Sequence, residues 1–427
     1  MCIRDRPYDG IYVGAETNSS SVQIMSTNIT VCRELLTPNT VYTQTKDIAD
    51  NSIGYDCLRV RAENVTIDCA GHYIRSSAAY SGIFSNHTNT TIRNCNISMG
   101  TTSGGYGIEL NGANGSSIAN TSTHSQYYGV YLYKSHNVSI DYLRSIGNSY
   151  FGLFFSYSNS TEMNNTVSNR NMRYGIDYYN GGNSTFSNVT FNSNYEEGAY
   201  FYYIYDSNFH DIEASLNNDY DYGLMLYYSS RNVFDGLTAN SNYYDNIYMY
   251  QSHNNIMNDV TANSATAYRG LRIYYSNNNT ITNLVANSND DQGIYLYQSS
   301  YNVIDHAKLS GNNQGIYMYY AARNNFSNIN IISSEGYGIY AHGGWGDPYG
   351  NNNRFSDSVI TGSGTSDVYL YESSGQIYNL TMLNTTYGSI DFNGDEIVLL
   401  RKYYCLLYTS DAADELDGVD LGGRRII

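Results

Sequence analysis

One short phrase recurs along most of this chain: a glycine, an apolar residue, a tyrosine, a second apolar residue and a second tyrosine. It reads GVYLY at Gly129, GIYLY at Gly293 and GIYMY at Gly315. With the glycine as position zero, complete and degenerate copies return about every 23 residues, anchored at Asp56, Gly82, Gly107, Gly129, Gly152, Gly175, Gly198, Gly223, Asn246, Gly270, Gly293, Gly315, Gly338 and Asp367. A fixed period of this length is typical of solenoids, in which each unit packs only on its neighbours.

The phrase alternates between apolar residues at positions one and three and tyrosines at positions two and four. This period of two predicts a short strand with one buried side, and it excludes a helix. Position eleven is also apolar, and it holds Ile140, Met163, Phe186, Phe209, Phe234, Met257, Ile281, Ile304 and Phe326. Such short strands bury their apolar side only when coils stack, so the sequence predicts an all-β fold, a parallel β-helix solenoid of about 14 coils.

Asparagines recur at position nineteen, as Asn194, Asn217, Asn242, Asn289 and Asn312. Asparagine tolerates left-handed backbone, and its amide can hydrogen-bond to the same position in the next coil. We therefore expect a turn with a ladder of asparagine side chains at this position. Alternation counted from position eleven places Asn188, at position thirteen, on the inward side.

Residues 56–390 resemble the right-handed parallel β-helix repeat family, which includes carbohydrate-binding and sugar-hydrolase proteins and the NosD-type periplasmic proteins. The stretch VCRELLTPNTVYTQTKDIADNSIGYDCLRVRAENVTIDCAGHYI, from Val31 to Ile74, resembles the opening cap of such helices in archaeal surface proteins. The resemblance implies a right-handed helix in an extracellular or cell-surface protein, and it names no reaction.

The two ends of the chain differ from the repeats. Residues 1–6 and 405–427 resemble translated sequencing-adapter read-through, and we leave them out of the fold prediction. We expect an N-terminal segment and cap over 7–55, the parallel β-helix over 56–390, and the start of a truncated downstream region over 391–404. The sequence from Gly388 to Tyr404 leaves the period and resembles the junction at which related surface proteins pass into a β-sandwich.

The composition excludes two classes of partner. A net charge of −17 repels the phosphate backbone, so no nucleic-acid partner is expected. No apolar run of about 18 residues occurs, so no membrane span is expected either.

Apart from Cys2 and Cys405, which fall in the two excluded ends, the cysteines lie in the first cap: Cys32, Cys57, Cys69 and Cys95. A cap has less core than the repeats, and an oxidising compartment permits bridges, so we predict disulfides Cys32–Cys57 and Cys69–Cys95. The alternative is four buried thiols. A zinc site is disfavoured because no C-x-x-C motif or pair of histidines accompanies these cysteines.

The tyrosines at positions two and four are the best candidates for a binding surface, because burial of positions one and three turns them outward. The main ones are Tyr131, Tyr133, Tyr200, Tyr202, Tyr248, Tyr250, Tyr295, Tyr297, Tyr317 and Tyr319. Their ring faces could stack on the sugars of a polysaccharide while their hydroxyls bond to sugar hydroxyls. Two alternatives are tyrosines that stack on each other and stabilise the sheet, and a surface for protein contact, including self-association.

Few polar residues interrupt this surface. Asp177 and Arg272 occupy position two and His342 occupies position four. Asp177 and Arg272 are four coils apart, roughly 19 Å by strand spacing, so they cannot act on one bond. Asp347 and Pro348, in a longer repeat, resemble the D-P-H element of alginate epimerases with tyrosine in place of its histidine. The sequence thus favours a non-catalytic rod, with a polysaccharide lyase, epimerase or hydrolase as the alternative.

Carboxylates precede the anchor in three consecutive coils and include Glu196, Asp221 and Asp245. Oxygens stacked in this way could bind calcium, a hard cation that takes several carboxylate ligands. The alternative is a solvated acidic ridge.

Overall fold

A computed structural model of the chain describes residues 11–13, 24–218, 221–343, 352–372 and 378–404. The strands at the fourteen anchors and one further strand at each end form one parallel sheet of sixteen strands, which we call the tyrosine sheet. Its strands are Arg33–Leu35, Leu58–Val60, Ile83–Ser85, Tyr106–Asn111, Tyr128–Tyr133, Leu153–Ser156, Ile176–Gly182, Ala199–Tyr205, Leu224–Tyr227, Ile247–Tyr250, Leu271–Tyr274, Gln292–Tyr297, Gln314–Tyr319, Tyr337–Gly343, Ser366–Glu372 and Ile390–Asn393.

The remaining parallel strands form a second sheet of 23 strands, which closes the other sides of each coil. They are Asn28–Ile29, Val41–Gln44, Ile48–Ala49, Thr66–Asp68, Tyr73–Arg75, Thr91–Arg93, Asn96–Ser98, Ser117–His124, Ser139–Ile146, Glu162–Asn169, Thr185–Thr190, Asn208–Glu213, Val233–Thr238, Ile256–Thr261, Thr280–Val285, Val303–Ser310, Asn325–Ser327, Asn330–Ile332, Asn353–Ser356, Val359–Thr361, Tyr378–Leu383, Thr386–Tyr387 and Ile397–Lys402. Ile11–Val13 and Ile24–Ser26 form a separate antiparallel pair. The described ranges contain no helix.

Equivalent positions of successive coils pair in register, which confirms the predicted parallel β-helix. Ile294 pairs with Ile316, for example, and Tyr295 with Tyr317. The stacking begins before residue 56, because Arg33–Leu35 pairs with Leu58–Val60. It also continues past residue 390, where Ile390–Asn393 pairs with the strand Ser366–Glu372.

The core consists of the predicted apolar columns, and the structure confirms that positions one, three and eleven are buried. All nine residues of the position-eleven column are fully buried. Within this column the rings of Phe186, Phe209 and Phe234 follow one another at centroid distances of 5.3 and 4.6 Å. The column is therefore a continuous stack of side chains along the rod axis.

The anchor glycines are required by the close approach of consecutive coils. A Cβ atom on Gly129 would lie 2.5 Å from the carbonyl oxygen of Gly152, and one on Gly175 would lie 2.5 Å from that of Gly198. Real Cβ atoms do not come this close to a backbone oxygen. The glycine that opens each phrase is thus set by packing between coils.

Each coil bends within the second sheet at a residue with positive φ, and this bend corrects one expectation. Asn165, Asn188 and Asp211 occupy the bend in successive coils with φ of 48°, 54° and 51°. The bend interrupts the alternation, so Asn188 is exposed and not inward as predicted. Short polar side chains favour this left-handed conformation.

A buried asparagine ladder runs through position nineteen, as predicted. The amide of Asn194 donates to the side-chain oxygen of Asn217 at 3.3 Å, and Asn217 donates to Asn242 at 2.9 Å. Where position nineteen holds Ala265, the anchor residue Asn246 fills the gap between Asn242 and Asn289. A second buried ladder at position nine was not predicted, and it comprises Asn232, Asn255, Asn279, Asn302 and Asn324. It continues to Asn353, which stands at position fifteen of the longer repeat.

Both predicted disulfides are confirmed. Cys32 is bonded to Cys57 and Cys69 to Cys95, at sequence separations of 25 and 26 residues. Each bridge therefore joins one coil to the next at the N-terminal end of the rod. Because disulfides persist in oxidising compartments, the pair indicates an extracytoplasmic location.

Candidate functional site

The outward side of the tyrosine sheet carries the ten tyrosines singled out from the sequence, and we call it the tyrosine face. Nine of them are partly exposed, whereas Tyr248 is only 7% exposed. The ring of Tyr222 covers Tyr248 at a centroid distance of 4.9 Å, and the guanidinium of Arg272 lies 4.5 Å from its centroid. Tyr248 therefore contributes little to the accessible surface.

The position-four tyrosines form a continuous stack along the rod, which we call the tyrosine ladder. Its rings are Tyr179, Tyr202, Tyr227, Tyr250, Tyr274, Tyr297 and Tyr319. Neighbouring centroids are 4.4 to 5.7 Å apart and the ring planes differ by 5 to 20°. Each ring face is covered by the next ring, so the ladder presents ring edges and hydroxyl groups to solvent. Along the ladder we therefore expect a sugar to meet ring edges and not ring faces.

Two arginines and two aspartates form an ion-pair network beside the ladder. Asp245 is 1% exposed, and its carboxylate lies 3.5 Å from Arg269 and 3.4 Å from Arg272. Arg269 also contacts Asp291 at 3.4 Å. Burial raises the pKa of Asp245, and the two guanidinium groups oppose that rise. Asp245, predicted as a calcium ligand, is thus neutralised by arginines.

Arg272 is held between aromatic rings as well as by Asp245. Its guanidinium lies 4.5 Å from the ring centroid of Tyr248 and 4.8 Å from that of Tyr274. Its Nε atom is buried and has no hydrogen-bond partner within the described part of the chain. Arg272 therefore offers one donor next to the tyrosine ladder.

Asp177 occupies position two between aromatic neighbours, because its strand partners are Phe154 and Tyr200. Its Oδ1 atom is buried without a hydrogen-bond partner among the described residues. Burial raises the pKa of Asp177 to about 7, against the opposing influence of Arg173. This carboxyl group is therefore poised to exchange a proton near neutral pH.

Three carboxylates lie together in the two coils that follow the coil of Asp177. We call these residues, Glu196, Glu197 and Asp221, the acidic cluster. One carboxylate oxygen from each lies within 4.8 Å of the others. Glu196 is paired with Arg173, and Glu197 is 6% exposed, with an Oε2 atom that has no hydrogen-bond partner among the described residues. Burial, and next the charge of Asp221, raises the pKa of Glu197 to about 8.

The structure keeps the predicted catalytic residues apart, whereas two of the predicted calcium ligands, Glu196 and Asp221, lie together in the acidic cluster. Asp177 and Arg272 lie on strands separated by three others in the sheet order, as the four-coil spacing predicted. His342 contacts the rings of Tyr319 and Tyr371 at 4.5 and 4.6 Å, and burial lowers its pKa. Asp347 lies outside the described residues.

Sequence reasoning missed Arg173 and Arg269 as members of these groups. Arg173 stands two positions before its anchor and Arg269 one, so a column read from position minus one would have found Arg269. The residue before each anchor glycine lies on the outer side of the sheet, because side chains alternate along a strand and the glycine faces inward. Position minus one therefore continues the tyrosine face.

Fold and register define this chain as a right-handed parallel β-helix protein with an aromatic outer face. Two family models match it. Residues 56–209 match the model described as "Right handed beta helix region", and residues 202–347 match "Periplasmic copper-binding protein (NosD)". No curated protein matches the chain.

Several solved structures are similar in fold. The periplasmic alginate epimerase AlgG is 15% identical with a TM-score of 0.40, over 87% of this chain and 80% of that one. The Azotobacter vinelandii mannuronan C-5 epimerase AlgE4 A-module is 13% identical with a TM-score of 0.33, over 90% and 91%. The Dettilon tailspike protein is 13% identical with a TM-score of 0.39, over 78% and 61%.

The description of one family model names copper. Copper sites in proteins use imidazole, thiolate and thioether ligands. Among the described residues, a single group of three or more His, Cys, Asp or Glu side chains is arranged to hold an ion, and it consists of carboxylates alone. The same part of the chain holds no helix long and apolar enough to cross a membrane.

Proposed function

We propose that this chain is an exported rod that binds a polysaccharide lengthwise along the tyrosine face. The observation that carries the proposal is the tyrosine ladder, which repeats one phenol group per coil over seven consecutive coils. A polymer of sugars likewise repeats hydroxyl groups along its length. Regularly spaced phenols can donate hydrogen bonds to such a chain and accept bonds from it.

Two charged side chains flank the ladder on the same face. Arg272 and Asp177 each hold a buried polar atom that has no hydrogen-bond partner among the described residues. Sites for sugars combine aromatic surface with a few placed polar groups. The two disulfides and the periplasmic description of one matched family model support export.

The test separates the hydroxyl groups from the rings. In the double variant Tyr274→Phe/Tyr297→Phe the stacked rings remain, 4.4 Å apart in the native protein, but two hydroxyls are lost. Each neutral hydrogen bond contributes about 0.5–1.5 kcal/mol, so affinity for the polysaccharide identified on a glycan array should fall about 5- to 150-fold. The melting temperature should stay close to that of the native protein.

Tyr142→Phe is the matched control, because Tyr142 is 61% exposed and lies on the second sheet. It should bind as the native protein does. Equal affinity of the double variant and the control would refute a role for the ladder hydroxyls. Absence of binding to every glycan would leave ring stacking as the purpose of the ladder and overturn the proposal.

Catalysis on a bound polysaccharide is a second candidate function, favoured by one observation. Asp177 is a desolvated carboxyl group with a pKa near 7, next to the ring of Tyr200 on the same face. A group with such a pKa can serve as general acid or base. Mass spectrometry of the bound glycan after long incubation tests this candidate: shortened, unsaturated or epimerised products that Asp177→Asn fails to form would establish it, and unchanged glycan would exclude it.

A further inference from the structure

The acidic cluster has no role in the function proposed above. Glu197 and Asp221 lie just before the anchor glycines of two consecutive coils, and Glu196 directly precedes Glu197 in the sequence. One oxygen from each of the three carboxylates lies within 4.8 Å of the other two. Like charges so close together repel one another, and this geometry is costly unless a positive group compensates them.

Arg173 compensates only part of this charge. Its Nε atom lies 2.5 Å from Oε2 of Glu196 and forms the salt bridge that holds that carboxylate. The same guanidinium packs over the rings of Tyr150 and Tyr174, which fixes its position. The ion pair of Arg173 is therefore made with Glu196, one member of the acidic cluster.

The buried side chain of Glu197 is a second, independent observation that indicates a bound cation. Its side chain is 6% exposed, and its Oε2 atom is buried without a hydrogen-bond partner among the described residues. A buried carboxylate oxygen normally accepts hydrogen bonds or contacts a cation, because an unsatisfied buried acceptor costs free energy. The unpartnered oxygen belongs to the central member of the acidic cluster.

We propose that the acidic cluster binds a hard divalent cation, with calcium as the best-fitting ion. Calcium takes carboxylate oxygens at about 2.3–2.6 Å, so two oxygens on one ion lie at most about 5 Å apart. The observed limit of 4.8 Å meets this condition for all three pairs. Three carboxylates with water in the remaining positions form a flexible oxygen site, which suits calcium better than the strict octahedron of magnesium.

This site differs from the one expected from the sequence. Asp245 is excluded, because it is neutralised by Arg269 and Arg272. Glu197 takes its place, which brings the three ligands into two consecutive coils. The site does not depend on polysaccharide binding, so either proposal can fail without the other.

Calcium titration of the chelator-treated protein tests the site directly. Isothermal titration calorimetry with calcium chloride should give one saturable event, and millimolar calcium should raise the melting temperature because the ion binds the native state. Terbium chloride provides a second readout, since terbium bound here would be excited by the nearby Tyr200 and Tyr222 and would emit. Added calcium should displace it and quench this emission.

Glu197→Gln keeps the side-chain volume and removes the carboxylate that the ion would need as a ligand. We expect calcium affinity to fall at least tenfold, the terbium emission to disappear, and the melting temperature in chelator to equal or exceed that of the native protein. Asp221→Asn is the second variant and should also weaken binding at least tenfold. Asp290→Asn removes one charge at an exposed position outside the cluster and should bind calcium like the native protein.

Two results would overturn the proposal. One is a native protein whose melting temperature and heat of titration do not respond to calcium. The other is a calcium affinity that Glu197→Gln and Asp221→Asn change no more than Asp290→Asn does, which would show diffuse attraction to a chain of net charge −17.

Discussion

Asp177 shows how one side chain can change the character of a repetitive surface. The coils on either side place aromatic residues at position two, and these neighbours, Phe154 and Tyr200, remove water from its carboxyl group. The same position in an isolated strand would leave the aspartate hydrated and ionised. Desolvation by the stacked coils is what raises its pKa to about 7.

This raised pKa predicts how stability depends on pH. The folded chain binds a proton at Asp177 that the unfolded chain releases at about pH 4, so the stability contributed by this group falls as pH rises from about 4 to about 7. Asp177→Asn should therefore be more stable than the native protein at pH 8, by on the order of 2–4 kcal/mol. At pH 4 the two should be nearly equal.

Thermal unfolding followed by circular dichroism at pH 4, 6 and 8 measures the effect. The melting temperature of Asp177→Asn should move above that of the native protein as pH rises. Parallel curves at all three values would show that the carboxyl group is already ionised at low pH in the folded chain.

The sequence predicted which residues interrupt the tyrosine face, but not which charged residues contact one another there. Position two identified Asp177 and Arg272 correctly as breaks in the tyrosine face, because strand alternation is a property of each coil by itself. The partners Arg173 and Arg269 stand at other positions of the same or neighbouring coils. Their association depends on side-chain conformation across coils, which a column of equivalent positions does not contain.

At the scale of the single coil, the asparagine ladders set the shape of the turns. Asn279 accepts hydrogen bonds from the backbone and side-chain amides of Asn255 and donates to the carbonyl of Ser252. Its own backbone amide is satisfied by Asn302 in the next coil. Each ladder residue thus satisfies buried groups in two neighbouring coils.

Removal of one ladder side chain should destabilise the rod strongly. Asn279→Ala leaves the backbone amide of Asn255 and the carbonyl of Ser252 buried without their partner. An unsatisfied buried group costs about 1–3 kcal/mol, so we expect a loss of about 3 kcal/mol or more in urea unfolding. Asn330→Ala, at a half-buried strand position outside both ladders, should change stability by less than about 1 kcal/mol. Equal losses would mean that the ladder adds nothing beyond packing.

The position-nineteen ladder was predicted from the sequence, whereas the position-nine ladder was missed. Asparagines at Asn255 and Asn279 fall among many other asparagines in a chain rich in this residue, so composition hides the buried column. The sequence shows Asn246 in place of an anchor glycine, but it does not show what this asparagine contacts. Only the contact with Asn242 and Asn289 shows that it repairs the ladder where Ala265 interrupts it.

At the scale of the whole molecule, the fold follows from repetition. The apolar columns and the period near 23 residues were enough to predict a parallel β-helix, because every coil repeats the same requirement to be covered by its neighbours. The ends of the stack were harder to place. The coils near Arg33 and Ile390 lack the tyrosine phrase, so the repeat itself does not show that they pair with inner coils.

Because each coil contacts only its neighbours, the two disulfides should stabilise one end of the rod and not the whole. Each closes a loop of 25 or 26 residues, which corresponds to about 3–4 kcal/mol of loop-closure entropy. Reduction, or the variant Cys32→Ser/Cys57→Ser, should therefore lower hydrogen-exchange protection in residues 28–75. Protection of the coils from 190 to 330, which contain both asparagine ladders, should remain as in the oxidised protein. Hydrogen exchange with mass spectrometry distinguishes this from a uniform loss of protection along the rod, which would mean that the β-helix unfolds as one cooperative unit.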